Sequence, residues 1–472
     1  MKIVIFGTGK VYRDNKLHIS QQDDIVAFLD NNSSLQGKTV DGIKVYAPTR
    51  IHSLSYDKII LMSDYADEMR KQLLDILVDD EEIWNWRRYE CECSRGVLKL
   101  FCYQERKGTP KKRILLLAQH LSYDGSAMAA VHAIIALQSM DKGYHVILAA
   151  PSGDPAFVRE ISGQGVNIVL CPAVQYLGKE EMYWINQFDI VIVNVFPMIS
   201  CACEISKFKP VLWWLHEVSA YYESTRKEFS KYDNISAMKH INVVAVSEIA
   251  RRNFEVYYPG RVNAILPYGI PDEYIPNVET NKSDKFVFAI IGGIEKRKAQ
   301  KIFVQAVMNF AQEEMADLEF LIIGSSKAED YFHEVEELAG QVPQIHIVGQ
   351  LSRREMWEMY QKIDVVVCAS VEECLPTTVT EGLMHGKVCI ATETSGTGEY
   401  IIHGENGFIC KTEDADSLYN IMAWVSAHRD ELEDVRRNAR KTYEKYFTME
   451  IFGKSLEMLL EKTERREETI PE

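Results

Sequence analysis

The sequence predicts an α/β protein: two parallel, doubly wound sheets preceded by a smaller α/β unit. Three observations predict it. Short apolar runs alternate with helical or polar stretches along the chain, which is the pattern of parallel sheets. The series breaks and restarts twice, once at a basic stretch and once where Pro267 and Pro271 stand close together. Several runs end in glycine turns, as strands do when they feed a helix that packs back on the sheet.

The elements follow in order. "KIVIF", "IVAFLDNN" and "YDKIILMS" are the strands of the first unit, and "GTGK" is the turn after the first of them. A strand, a glycine turn and an acid at Asp30 resemble a dinucleotide-binding half-site, although Tyr12 stands where the third glycine of that motif belongs. A docking or structural module without a ligand is the competing reading of this unit. "QERKGTPKKR" is polar and aperiodic and reads as a linker, a solvated loop that leaves a peripheral contact with a membrane open. From Arg113 come "RILLLAQ", a glycine turn into the helix "SYDGSAMAAVHAIIALQSM", then "GYHVILAA", "GVNIVLC", "FDIVIVNV", "PVLWWLHE" and "NVVAVS". After "LPYGIPDEYIP" a second series runs "KFVFAIIGG", "LEFLIIGS", "IHIVGQ", "DVVVCAS" and "KVCIAT". The expected domains are therefore 1–98, a linker over 99–112, 113–275, 276–460, and a charged tail over 461–472. A cleft between two such sheets is where ligands belong.

Bulk properties narrow the function. The 472 residues carry a formal net charge of −16, which argues against a general nucleic-acid or anionic-membrane binder. No apolar run approaches the ~18 residues that span a bilayer, and the apolar core of "MKIVIFGTGK" is too short for a signal segment. A cytoplasmic chain is expected, with its ten cysteines reduced and mostly buried. Two CxC pairs, Cys91/Cys93 and Cys201/Cys203, would share a strand face, but structural zinc sites use wider spacing.

The most informative stretch is "SVEECLPTTVTEGLMHGK". Glu373 and Glu381 lie eight positions apart with Pro376 between them. On one helix at ~100° per residue they would stand about 80° off a shared face. Pro376 forbids an unbroken helix and suits a first turn, so the stretch reads as loop, helix start, helix. The N–H groups of Thr377 and Thr378 then lie between the acids, and free N–H groups at a helix start attract phosphates. Carboxylates repel phosphate but accept hydrogen bonds from hydroxyls. A nucleotide sugar has both parts; an ordinary solvated helix start with two surface acids is the competing reading.

Residues from about 113 to 460 resemble the retaining glycosyltransferases of family 4, with the GT-B fold of two facing Rossmann-like domains. The resemblance rests on "YDGSAM", "WLHE", "VAVSE", "LPYGIPDEYIP", "IIGGIEKRKAQ", "HIVGQLSRREMWEMYQKIDVVVCAS", "EECLPTTVTEGLMHGKVCIAT" and "GTGEYIIHGENGFI", in that order. The first unit, through "DNN…QGKTVDGIKVYAP", resembles Rossmann-like domains attached to bacterial surface-polysaccharide enzymes. The resemblance implies that Glu373 accepts from hydroxyls of the donor sugar and Glu381 from the ribose. It implies that N–H groups around Leu375, Thr377 and Thr378 hold sugar and phosphate beside Gly292, and that Lys298 neutralises the departing diphosphate. His216 would stand on the opposite wall, with Gly125 and Ser126 in the acceptor-side loop. No metal and no cofactor are implied, only a nucleotide-sugar co-substrate, most often a UDP-sugar, and a glycan or lipid-linked acceptor. Residues 1–98 would offer a docking surface.

Three departures stand out. Gly293 occupies the place where the family often has arginine, so Arg297 or Lys296 would supply that charge. The acceptor loop reads GSA, and Pro376 replaces a glycine and removes an N–H donor. "DAD" at Asp414 to Asp416 has the form of a metal-binding pair, but Asp416 is expected to cap a helix instead. Two other readings stay open, a non-catalytic GT-B partner of another transferase and a nucleotide-sugar 2-epimerase.

Overall fold

The computed structural model describes residues 1–101, 110–140, 142–225, 238, 240–275 and 285–467. Most of the predicted linker, the predicted boundary after 275 and the last five residues of the predicted tail lie outside the described residues. The chain forms two compact units.

The first comprises Met1–Leu100 together with Ala149–Gly153 and Val169–Asn186. Its strands are β1 (Lys2–Phe6), β2 (Asp24–Leu29), β3 (Thr39–Val40), β4 (Ile43–Tyr46), β5 (Lys58–Leu61) and β6 (Ile83–Asn85). They form a sheet in the order β3-β4-β2-β1-β5-β6, parallel except for the β3–β4 pair. Side chains alternate between its faces: Val4 and Phe6 join one core, Ile3 and Ile5 the other. Gly7 has φ +106°, and a Cβ there would stand 2.7 Å from the Met62 carbonyl oxygen, so only glycine fits the turn. Asp30 is engaged by Thr8, whose N–H and hydroxyl donate to its Oδ2 at 3.1 and 2.6 Å. Arg95 donates to Glu181 at 2.6 Å, tying the end of the first segment to a fully buried acid from residues 169–186.

The CxC expectation is corrected here. Cys91 and Cys93 end the helix Trp86–Cys93, and Cys201 and Cys203 lie in the helix Ile199–Ile205. Two residues apart on a helix, side chains diverge by about 200°, so neither pair shares a face. The predicted linker opens with a strand, β7 (Lys99–Phe101), instead of a loop.

The second unit contains two sheets. In the first half lie β8 (Lys112–Leu117), most of β9 (Tyr144–Ala150), the start of β10 (Asn167–Leu170), β11 (Ile190–Asn194), β12 (Val211–Leu215), β13 (Ile241–Ala245) and β14 (Val262–Ile265). The order runs β14-β13-β12-β11-β8-β9, with parallel pairing from β8 through β14. Every residue of β11, β12 and β13 is buried, as expected of a parallel sheet covered on both faces. In the second half, β15 (Phe286–Ile291), β16 (Leu318–Ile323), β17 (Ile345–Gly349), β18 (Val365–Cys368), β19 (Val388–Thr392) and β20 (Phe408–Cys410) pair in the order β17-β16-β15-β18-β19-β20, all parallel. Phe288 and Phe320 stack at 5.5 Å in its core.

Strand order reverses between β15 and β18, and again between β8 and β11. The carboxyl ends at such a reversal diverge and leave a crevice. The halves are stitched together by the crossing Leu266–Pro271 and by the helix Met449–Glu467, which carries through the first part of the predicted tail. Phe452 of that helix stacks on Trp214 at 5.6 Å, and Glu464 pairs with Lys112 at 2.7 Å. At the crossing, a Cβ on Gly269 would stand 2.6 Å from the Thr448 carbonyl oxygen, so the two chain segments touch backbone to backbone.

Candidate functional site

The reversal between β15 and β18 collects the second half's predicted residues. After β15 the chain turns through Gly292, at φ +147°, and Gly293. The turn Lys296–Lys298 follows, ending at Ala299 in a left-handed conformation (φ +54°) that an alanine adopts only at a cost. After β18 the loop from Ala369 leads to the helix Thr377–Met384. Pro376 stands just outside that helix as its cap residue, not in its first turn as expected, because its ψ of 115° is extended. It has no side-chain oxygen to cap with, and the first N–H groups of any helix lack intrahelical partners.

Glu373, in the loop, receives Arg297 Nη1 at 2.6 Å and the Lys298 ammonium, with the Ser370 hydroxyl at 3.4 Å. All three contacts fall on Oε1. Burial pushes this carboxyl up, but the charges of Lys298 and Arg297 outweigh it and hold it below the usual range. Arg297 is further held by Glu295 at 2.8 Å and by the Glu372 carbonyl at 3.2 Å. Lys298 and Arg297 are thus both turned toward Glu373. Lys296, the other candidate for the missing arginine, is exposed.

Glu381, inside the helix, accepts from the Tyr360 hydroxyl at 2.8 Å, with Arg353 Nη1 at 3.6 Å. Burial raises its pKa, and those two neighbours only partly oppose the rise. Leu375 and Thr377 meet Tyr268 of the crossing: its hydroxyl donates to the Leu375 carbonyl at 2.6 Å and lies 3.0 Å from Thr377 Oγ1. The Leu375–Pro376 peptide has no N–H, so that carbonyl is its one polar atom, and Tyr268 satisfies it. The Thr378 carbonyl lies 3.5 Å from the Tyr360 hydroxyl.

On the first half, His216 follows β12. Its ring meets Trp214 edge-on at 4.5 Å and stands 6.3 Å from the Tyr268 ring, one side chain away from the Leu375–Thr377 loop. Its Nε2 is buried with no hydrogen-bond partner among the described residues. Burial pulls its pKa down to about 3, so the imidazole is neutral. Gly125 and Ser126 open the helix Gly125–Ser139, capped by Asp124, whose Oδ1 accepts from the N–H groups of Ser126 and Ala127 at 2.9 Å. Asn194, at the end of β11, donates to the Ser126 carbonyl at 3.0 Å and fixes that loop.

Residues the sequence did not single out complete the arrangement. Glu372 accepts from Ser219 N–H at 2.8 Å and from Asn253 at 2.7 Å, and Cys374 Sγ donates to the Glu217 carbonyl at 2.9 Å. Glu399 accepts two N–H groups, of Glu248 and Ile249, at the start of the helix Glu248–Glu255. The loops from the second half thus grip the first half by hydrogen bonds. In sequence the only signal was the acid beside each motif residue. The "DAD" expectation is corrected: Asp414 is the cap of the helix Ala415–Ala427, accepting from Ser417 N–H at 2.8 Å, while Asp416 sits inside it and binds Asn309.

Residues 272–442 match the family model of glycosyl transferases group 1, and residues 1–84 match the C2185-like N-terminal family. The chain is 28% identical over 134 residues to the putative glycosyltransferase EpsD of Bacillus subtilis, covering 28% of this chain and 34% of that protein. It is 23% identical over 194 residues to the D-rhamnosyltransferase WbpZ of Pseudomonas aeruginosa, covering 39% and 49%. It thus spans between a third and a half of the length of these curated relatives. The structure of Anabaena HepE in complex with UDP and glucose superposes with a TM-score of 0.62 at 16% identity, over 74% of this chain and all of that one. The fold is GT-B.

Proposed function

We propose that the protein is a retaining glycosyltransferase that moves a sugar from a nucleoside diphosphate, most readily UDP, to a glycan or lipid-linked acceptor in cell-surface polysaccharide or glycoconjugate synthesis. The observation that carries this reading is the crevice at the β15–β18 reversal. There a buried acid with two cations, a helix start and a second buried acid follow one another along a single loop and helix. The match of residues 272–442 to group 1 glycosyl transferases, and the UDP and glucose bound by the similarly folded HepE, support it.

In this reading Glu373 keeps its cations on Oε1 and accepts a hydroxyl of the donor sugar on Oε2. The N–H groups of Thr377 and Thr378 and the Lys298 ammonium stabilise charge as it gathers on the departing diphosphate. Glu381 accepts from the ribose. Neutral His216, with an unspent Nε2, bonds the transferred sugar from the first-half wall, and the loop at Gly125 and Ser126 receives the acceptor. The acceptor oxygen attacks from the face the diphosphate leaves, and the leaving phosphate takes its proton. Residues 1–98 serve docking, and the enzyme works in the cytoplasm or at the inner membrane face; no helix among the described residues is long and apolar enough to cross a membrane.

Incubation with a panel of nucleotide sugars tests the reading. Release of nucleoside diphosphate with formation of an α- or β-glycoside of unchanged anomeric configuration is expected, and it persists in EDTA because cationic side chains and N–H groups stand in for a metal. No turnover of any donor, an inverted product, or an isomerised nucleotide sugar would each overturn it.

A further inference from the structure

We infer that Lys327 is a further donor-binding residue, an ammonium carried over Gly293 to the diphosphate; this rests on the nucleotide-sugar reading above. At the carboxyl end of β15, two successive glycines each lie under a lysine. A Cβ on Gly292 would stand 3.5 Å from Lys298 Cε and 3.7 Å from its Nζ, which is ordinary contact. A Cβ on Gly293 would stand 2.8 Å from Lys327 Cγ and 3.4 Å from its Cε, which is too close for both to be present. The Lys327 stem therefore crosses the bare Cα of Gly293. Its backbone is fixed in that place: Lys327 N–H donates to the Ile294 carbonyl at 3.1 Å, and Ile294 N–H to the Ser325 carbonyl at 2.8 Å. The loops after β15 and β16 are so close that a Cβ on Gly324 would lie 2.0 Å from the Gly292 carbonyl oxygen.

Charge explains why a third cation is needed. Arg297 and Lys298 already face Glu373, and Arg297 also pairs with Glu295. Two cations set against two carboxylates leave no net charge for a diphosphate that bears a negative charge on each phosphate. Among the described residues, Lys327 has no carboxylate within ion-pair distance. It supplies an unspent charge over the same two-glycine turn, and Gly293 is bare so that the stem can pass. An arginine at that position would displace Lys327 with its own Cβ.

The test uses the full chain and two independent variants. Lys327→Ala removes the ammonium; Gly293→Ala keeps it but pushes the stem aside, and Gly293 has no left-handed φ to make alanine strained. UDP, GDP and ADP are titrated calorimetrically, with the corresponding nucleosides as uncharged controls, and melting temperatures are recorded. Each variant is expected to weaken nucleoside diphosphate binding about fivefold, the upper range for an exposed ion pair, with nucleoside binding and melting temperature unchanged. The double variant is expected to bind no more than about twofold worse than Lys327→Ala. Diphosphate binding by Lys327→Ala equal to wild type overturns the inference, as does a Gly293→Ala loss that is undiminished in the Lys327→Ala background. A wild-type protein that binds none of the three nucleotides overturns the functional reading itself, and this inference with it.

Discussion

Glu373 and Glu381 are both largely shielded from solvent, with side chains 11% and 14% exposed, and yet they hold their protons in opposite ways. Burial disfavours the charged form of each. At Glu373 two cations reverse that penalty and the carboxylate is favoured. At Glu381 the nearest partner is a neutral hydroxyl and the cation stands off at 3.6 Å, so the penalty prevails. Burial alone therefore does not assign a role to an acid; the charge of its neighbours does. In the proposed reading both acids accept hydroxyls, and the cations set only Glu373 beside the charge that develops as the bond breaks.

The sharpest way to break this contrast is Glu373→Gln. The variant leaves Lys298 without its carboxylate and Arg297 with Glu295 alone. It is expected to lower kcat about tenfold or more, at least ~1.4 kcal/mol of barrier. Stability should fall by about 1–3 kcal/mol, below the usual cost of splitting a buried pair because Arg297 is a third exposed. Steady-state kinetics and urea melts measure both. A kcat within twofold of wild type would end the assignment of Glu373 to the reacting sugar.

Glu381→Gln is the milder counterpart. In the proposed reading it removes a contact to the ribose, a part of the donor that does not change during reaction, so the loss falls on donor KM and on binding of the nucleoside diphosphate. About a fivefold rise in each is expected, the scale of one uncharged-partner hydrogen bond, with kcat within about threefold. Stability should be unchanged or slightly higher, since a desolvated acid is replaced by an amide. If this variant loses kcat while binding nucleotide normally, the two acids have been assigned in reverse.

How legible these features were in the sequence follows from the distance over which each is made. The longer strands were visible because each is a local apolar run, whereas short ones such as β3 and β7 were not. Glu373 and Glu381 were visible as acids flanking a helix start. Their difference was not, because Arg297 and Tyr360 reach them from 76 and 21 residues away. Tyr268 meets Leu375 across 107 residues, and no periodicity reports such a contact. Lys327 belongs to no motif that the sequence analysis singled out. Its position depends on two loops meeting at three glycines, which only the folded chain reveals. The CxC pairs show the converse: their spacing has meaning only once the element is known, and the helices Trp86–Cys93 and Ile199–Ile205 carry them instead of strands.

A third buried acid sharpens the comparison through pH. Glu217 follows His216 and accepts from the N–H groups of Phe196 at 2.7 Å and His216 at 2.9 Å. Burial pushes it up to about 7, from an ordinary 4.5, and those N–H groups only partly restrain the rise. Its neighbours are dipoles with no cation, so it extends the Glu381 case. Because the folded pKa is raised, the native state holds this proton more tightly than the unfolded chain does. The stabilisation is fully present below about pH 4.5 and is lost as pH rises through about 7. At ~1.4 kcal/mol per unit, the whole effect is on the order of 3 kcal/mol. Other groups titrate in the same range: burial pulls His216 down to about 3 and His132 to about 4, which moves stability the other way. They are common to wild type and Glu217→Gln, so the difference between the two proteins isolates Glu217. Urea melts from pH 5 to pH 8 should show wild type losing stability relative to the variant, by up to about 3 kcal/mol, with most of the change between pH 5 and 7. A difference that stays flat across that range would mean that neighbouring dipoles suffice to keep a buried carboxylate charged, and the contrast between Glu373 and Glu381 would then need a cause other than the cations.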